Sequence, residues 1–299
     1  MTDSGTAAPL NYDSPTALKA FLDAQGLGMR KKFGQHFLIN PDARKLLLDA
    51  LDFNPGDAVW EVGPGLGAMT WGLLERGALV KAFEIDPGFI NVLQAFWGSH
   101  PRFRLIAGDV LKTWPQAGDE EYLLGNLPYT IGSRLLGVLI ENNRLFTRMV
   151  VTVQRELVQR MGACPGSKDY SSFSVLCTSA YTVQPLKVLK GPSFYPVPHV
   201  DSQGVRLDLR TDVDPRTYPA CLRPLVRHLF ASRRKTIKHN LYSFIVSYIL
   251  TKQEAADRTQ EVLAGCGIPA DTRAEALGLE DFVAMAAALA RDHPRFTLE

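Results

Sequence analysis

Apolar residues along the chain switch between two periods, and the switches divide it. Asp13-Ser14-Pro15 ahead of Thr16–Gln25 predicts a short capped helix, with Ser14 as N-cap, Pro15 at its first position and Gly26 past its end. Asn40-Pro41 opens a second helix, in which Ala43, Leu46, Leu47, Ala50 and Leu51 recur at helical spacing. From residue 58 strand-like runs alternate with helical ones. Ala58–Val62, Leu79–Ile85, Phe103–Ala107, Tyr122–Leu124 and Met149–Val153 are the expected strands, and the alternation predicts a parallel sheet covered on both faces. After Tyr170 a helix through Ala180 is expected, then strands near Val183–Leu189 and Gln203–Leu209, paired like a hairpin around the Pro-rich loop Gly191–Ser202. Past a linker at Thr211–Pro219 the pattern is helical only, with an Ala-rich apolar stripe in Phe282–Ala290. The expected organisation is an N-terminal extension with one short helix (1–28), an α/β domain (29–211) and a small all-helical domain (212–299).

With 299 residues, 46% hydrophobic and 21% charged, the chain has the balance of a globular protein with a real core, which excludes a disordered tail or a fibrous repeat. Its net charge of +2 says nothing for or against nucleic acid, so such a partner has to be sought in local clusters. Cys164, Cys177, Cys221 and Cys266 lie far apart, a pattern that suggests neither a metal site nor a disulfide framework. The longest apolar stretch, Leu241–Leu250, is half of the roughly 20 residues a bilayer requires. Met1–Leu10 lacks the features of a secretory signal. A cytoplasmic protein without a membrane partner is expected.

Trp60-Glu61-Val62-Gly63-Pro64-Gly65-Leu66-Gly67-Ala68 falls at a strand-to-helix turn, where glycines let backbone approach a ligand. The stretch alone is ambiguous. Gly63-x-Gly65-x-x-Ala68 fits a dinucleotide fingerprint, and Glu84, 21 residues beyond Gly63, stands where a ribose-binding acid belongs. Two features favour S-adenosylmethionine (SAM). Glu61 can orient the loop or meet a methionine amino group, and Pro64 removes an N–H that a pyrophosphate needs but SAM does not. Gly108-Asp109-Val110 follows the third expected strand; Asp109 is either a helix cap or an acceptor for an adenine amine.

Gly125-Asn126-Leu127-Pro128-Tyr129 follows the fourth expected strand and carries the chemistry. The N6 lone pair of adenine is delocalised into the ring, so the amine is a poor nucleophile. Two acceptors gripping its two N–H groups favour a tetrahedral nitrogen with its lone pair aimed at a sulfonium methyl. The Asn126 side-chain carbonyl is one candidate, and the backbone carbonyl of Leu127 or Pro128 the other. Tyr129 offers a ring on which the base stacks. No strong base and no metal are required.

Together with Gly34-Gln35-His36-Phe37-Leu38, Glu84-Ile85-Asp86, Pro165-Gly166-Ser167-Lys168, Phe194-Tyr195-Pro196-x-Pro198-x-Val200-Asp201-Ser202 and Phe230–Thr236, these motifs resemble the KsgA family of ribosomal RNA adenine N6,N6-dimethyltransferases over nearly all of residues 29–240. The resemblance implies a Rossmann-like SAM-dependent methyltransferase domain with a seven-stranded, mostly parallel sheet. It places His36, Leu38, Gly63, Glu84, Asp109 and Asn126 at SAM, with Gln35, Glu61 and Gly65 beside them. Glu84 would hold the ribose and Asp109 the adenine; Tyr129 and Phe194 would sandwich the target base. It also implies dimethylation of two adjacent adenosines in the 3′-terminal hairpin loop of 16S rRNA, late in small-subunit assembly. Thr130 and His199 depart from residues common in the family, Asn and Lys.

Arg223, Arg227, Arg233, Arg234, Lys235 and Lys238 lie in a stretch, Leu222–Asn240, that contains no acid, and are the expected RNA contacts, several of them sharing a helical face. Arg30, Lys31 and Lys32 suggest a second basic rim. The competing expectations are an Erm-type enzyme acting on 23S rRNA, a non-catalytic assembly factor on the same fold, and a nicotinamide dehydrogenase. A monomer is expected.

Overall fold

The structure, a computed structural model, describes residues 8–28, 35–118, 120–248 and 251–292. The chain divides into two compact units. The first comprises Met1–Leu139, Arg144–Val158 and Val183–Leu209; the second comprises Ile140–Asn143, Gln159–Thr182 and Arg210–Glu299.

The first unit opens with α1 (Pro15–Ala24), capped as its sequence requires: the Ser14 side chain accepts from the Ala17 amide, and Pro15 starts the helix. β1 (Phe37–Leu38) follows, then α2 (Pro41–Leu51), whose Asn40 cap accepts from the Ala43 amide. The alternating part contains β2 (Ala58–Val62), α3 (Ala68–Glu75), β3 (Leu79–Glu84), α4 (Pro87–Trp97), β4 (Phe103–Ala107), α5 (Val110–Thr113), β5 (Tyr122–Asn126), α6 (Gly132–Glu141), β6 (Arg148–Gln154) and α7 (Arg155–Met161). After α8 (Ser172–Ala180) come β7 (Tyr181–Leu189), β8 (Phe194–Tyr195) and β9 (Ser202–Leu209).

Seven strands form one sheet in the order β4-β3-β2-β5-β6-β9-β7. β4, β3, β2, β5 and β6 pair in parallel, and β9 joins β6 antiparallel. β7 and β9 are neighbours, as the hairpin expectation has it, while β1 and β8 form a separate antiparallel pair. This is the Rossmann-like α/β fold. From β2 the chain runs outward through β3 and β4, then returns to place β5 and β6 on β2's other side. Connections therefore diverge between β2 and β5, which opens a crevice beyond their carboxyl ends. Apolar residues of α2 and α3, among them Leu47, Leu48, Leu51 and Leu73, cover one sheet face with Val59, Val80, Leu124 and Val150.

Residues 8–28 are not a detached extension. Leu18 and Leu22 of α1 bury with Tyr12, Ile39, Leu66, Phe89 and Val92 in one cluster of the first unit, because the helix presents an apolar stripe that nothing else would cover.

The second unit is helical: α9 (Leu222–Ala231), α10 (Ile237–Val246), α11 (Lys252–Gly265) and α12 (Leu279–Asp292) enclose Leu225, Leu229, Ile237, Leu241, Phe282 and Leu289. Tyr170 and Val175 join that core, and the Tyr170 hydroxyl donates to Leu277 O at 2.8 Å. Their burial there is why the units do not part at a single cut near residue 211. Among the described residues no helix is long and apolar enough to cross a membrane.

Candidate active site

The crevice is a cavity of about 200 Å³ in the first unit. Its floor is the glycine turn between β2 and α3. Gly65 (φ +58) and Gly67 (φ +88) take left-handed conformations. A Cβ at Gly65 would lie 3.0 Å from Phe37 Cε1, and one at Gly67 only 2.1 Å from Trp97 Cζ3. Three glycine amides are spent inside the fold: Gly63 N–H on Phe83 O (3.0 Å), Gly67 N–H on Pro64 O (2.9 Å) and Gly65 N–H on Glu84 Oε2 (3.1 Å).

Glu84 therefore braces the turn as well as lining the cavity. Its other oxygen accepts from the Ile85 and Asp86 amides at 2.8 and 2.9 Å. Burial outweighs these three donors and raises its pKa above the usual carboxylate value. Glu61 is only 2% exposed and accepts from the Thr70 hydroxyl at 2.6 Å. Burial first, and the neighbouring Glu84 charge less, push its pKa up to about 8. Asp109 caps α5 by accepting from the Leu111 amide (3.0 Å), and it also lines the cavity beside Ile85 and Gly108. Gln35, His36 and Leu38 line the facing wall, with Gln35 Nε2 donating to Asp86 Oδ2 at 3.2 Å. All the residues expected at the cofactor thus converge on one cavity.

Asn126 ends β5, two residues beyond the expected strand end. Its Nδ2 donates to His36 O at 2.7 Å. A backbone carbonyl only accepts, so this bond settles which end of the amide is nitrogen and leaves Oδ1 available. Of the two backbone carbonyls considered, Pro128 O is taken: it receives the Ile131 and Gly132 amides at 3.0 and 3.3 Å as the chain turns into α6. Leu127 anchors its own N–H on Thr152 O (3.0 Å), and no donor reaches its carbonyl among the described residues. Among the described residues, Asn126 Oδ1 and Leu127 O are thus two acceptors that no donor reaches at the end of β5.

Tyr129 shares a 2.6 Å hydrogen bond with the Ser202 hydroxyl, and its ring stacks on His36 with centroids 5.6 Å apart and planes 26° apart. His36 Nδ1 lies 2.8 Å from Pro196 O and, since a carbonyl only accepts, donates to it. Phe194, expected opposite Tyr129, is not among the residues that line the cavity. It is 2% exposed, because pairing of β8 with β1 sets it opposite Leu38 and turns its ring into the core. The aromatic partner resting on Tyr129 is His36.

The basic stretch also differs from expectation. A turn at Ser232–Thr236 separates α9 from α10, with the Thr236 hydroxyl capping α10, so these cations do not share one helical face. Nor are they all without acids. Arg227 pairs with Glu141, Arg233 with Glu275 (2.9 Å), and Arg223 donates to Asn143 Oδ1 (2.7 Å) and Glu141 O (3.1 Å). Arg234, Lys235 and Lys238 have no acidic partner among the described residues; Lys235 Nζ reaches His239 Nε2 at 2.7 Å. Arg30, Lys31 and Lys32 lie outside the described residues. No group of three or more His, Cys, Asp or Glu suited to a metal is found among the described residues.

Residues 26–282 match the family described as ribosomal RNA adenine dimethylase. The chain belongs to that family. It is 41% identical over 282 residues to the ribosomal RNA small subunit methyltransferase A of Treponema denticola, covering 92% of this chain and 94% of the relative. The protein of that name from Borreliella afzelii is 36% identical, covering 95% and 97%. Two solved structures share the fold. A dimethyladenosine transferase from Plasmodium falciparum superposes with TM-score 0.71 at 23% identity, covering 84% of this chain and 96% of that one. The 23S rRNA methyltransferase ErmE gives 0.58 at 21%, covering 85% and 99%. The dimethylase is thus a SAM-dependent enzyme acting on adenine in ribosomal RNA. Sequence reasoning passed over Tyr12 and Leu18, which also line the cavity.

Proposed function

We propose that this enzyme dimethylates two adjacent adenosines in the 3′-terminal hairpin loop of 16S rRNA, as a cytoplasmic monomer acting on the small subunit late in its assembly. The observation that carries the chemistry is the locked amide of Asn126, with Oδ1 and the neighbouring Leu127 carbonyl both unspent among the described residues at the end of β5. The relatives' name, ribosomal RNA small subunit methyltransferase A, supports the choice of subunit over the 23S target of ErmE.

The cavity suits SAM. Its glycine turn leaves room for a ligand's backbone-close approach, Glu84 and Asp109 offer carboxylate oxygens for hydroxyl and amine groups, and Ile85 supplies an apolar surface. SAM supplies an electrophilic methyl carbon on sulfur. Asn126 Oδ1 and Leu127 O accept the two N6 hydrogens and draw the nitrogen towards tetrahedral geometry. The N6 lone pair forms the new C–N bond, the electrons of the old C–S bond stay with sulfur, and an N6 proton departs to water. In the second round one N–H remains, and a single acceptor suffices to hold it. Tyr129 fixes the base plane, and its own position is fixed by Ser202 and His36. Positioning and electrostatics supply the acceleration. On the second unit, Arg234, Lys235 and Lys238 are the cations best able to meet RNA phosphates.

Mass spectrometry of 16S rRNA fragments, after unmethylated small subunits are incubated with enzyme and SAM, tests this directly. Two dimethyladenosines in the 3′-terminal hairpin fragment are expected. Dimethylation confined to other 16S fragments, or none, overturns the assignment.

A further inference from the structure

The family match begins at residue 26, yet Tyr12 and Leu18 line the cavity that the matched region builds. Tyr12 is 4% exposed, and its hydroxyl donates to Leu66 O at 3.0 Å, across 54 residues of sequence. Leu66 lies between Gly65 and Gly67, both left-handed and neither with a side chain to hold its torsions. A turn built this way needs fixing from outside. Glu84 fixes the Pro64–Gly65 peptide through the Gly65 amide, and Tyr12 fixes the Leu66–Gly67 peptide through the Leu66 carbonyl. Burial drives the Tyr12 pKa far above its ordinary value, so the hydroxyl remains a donor at every physiological pH.

The rest of the segment is fastened where it can act on the same wall. Leu18 packs in the cluster that holds Leu66 and Phe89. Asp13 pairs with Arg44, whose other guanidinium nitrogen donates to Leu38 O at 2.9 Å, and Leu38 lines the cavity too. Phe21 meets Phe96 of α4 with ring centroids 5.9 Å apart.

We infer that the segment from Tyr12 to Leu22 is a working part of the cofactor site, with Tyr12 and Leu18 as positioning residues that hold the glycine turn in its SAM-binding shape. The coupling is reciprocal: a turn ordered by the segment binds SAM better, and bound SAM holds the segment down by the same factor.

SAM binding is measured without RNA, so the test does not depend on which adenosines are modified. Tyr12→Phe removes one buried hydrogen bond and is expected to raise the SAM Kd about five-fold by calorimetry. Leu18→Ala opens the wall and is expected to raise it roughly ten-fold or more. In turnover the effect should fall on KM for SAM more than on kcat. Lys45→Ala, on the exposed side of α2, serves as the control. Hydrogen exchange on the wild-type enzyme supplies a readout that simple destabilisation would not move: S-adenosylhomocysteine should slow exchange of the α1 amides at least several-fold. Unchanged Kd in both variants, or α1 exchange indifferent to the ligand, overturns the inference; a variant that loses melting temperature while its Kd stays at the wild-type value does the same.

Discussion

Replacing Asn126 by alanine separates the two jobs its amide performs. The nitrogen end holds His36 O at 2.7 Å and so ties the chain before β1 to the end of β5. Losing that bond costs about 1 kcal/mol, which permits at most about a five-fold rise in the SAM Kd. In the proposed mechanism the oxygen end accepts from an N6 hydrogen that becomes acidic as positive charge builds on nitrogen. An aligned acceptor lost at a developing charge in an enclosed site costs about 2.7–4 kcal/mol, or 10²–10³ in kcat. Leu127 O stays in place, so residual activity above background is expected. The assay pairs single-turnover transfer of labelled methyl to unmethylated small subunits with calorimetric SAM binding. A turnover rate within five-fold of wild type would rule out a transition-state role for Oδ1, as would a loss explained wholly by weaker SAM binding. Asn126→Asp should fall between the two, because it keeps an acceptor but presents an oxygen to His36 O.

Three further perturbations probe the rest of the site. Glu61 has a folded pKa of about 8, above its ordinary value of 4.5, so the folded protein holds a proton that the unfolded chain releases; ligand-free stability is fully present at low pH and declines as pH rises through that window. Melting curves of Glu61→Gln between pH 5 and 8 should fall less steeply than wild type, and equal slopes would show that Glu61 does not titrate there. Gly67→Ala places a methyl 2.1 Å from the Trp97 ring at φ +88 and should cost at least about 2 kcal/mol of stability; a denaturation midpoint equal to wild type contradicts the close approach. Replacing Arg234, Lys235 and Lys238 together by alanine should lower the slope of log K against log salt by about 2–3, whereas Arg223→Ala and Arg227→Ala should change melting temperature more than salt dependence. Equal slopes for the two sets would remove the distinction that Glu141 and Asn143 impose.

The order of elements was legible because buried parallel strands are short apolar runs and their helices carry caps such as Ser14-Pro15 and Asn40-Pro41. The site was legible where chemistry dictates residue type at a strand end, as at Gly63–Gly67 and Asn126–Tyr129. What escaped depends on contacts distant in sequence. Gly125 and Asn126 resemble turn residues, yet pairing with Val151 and Thr152 carries β5 through them. Phe194 is turned inward by a pair of two-residue strands too short to show a period. Nothing local to Arg233 announces Glu275, and nothing local to Tyr12 announces Leu66. The choice between Leu127 and Pro128 rested on where the next helix begins, since its first amides consume the Pro128 carbonyl.

A crystal structure of the enzyme with an adenosine joined through N6 to a SAM analogue examines both acceptor oxygens at once. N6 is expected within hydrogen-bonding distance of Asn126 Oδ1 and Leu127 O, with the adenine on the Tyr129 ring. An N6 held by other groups, or an Asn126 amide rotated away from the linked nitrogen, would contradict it.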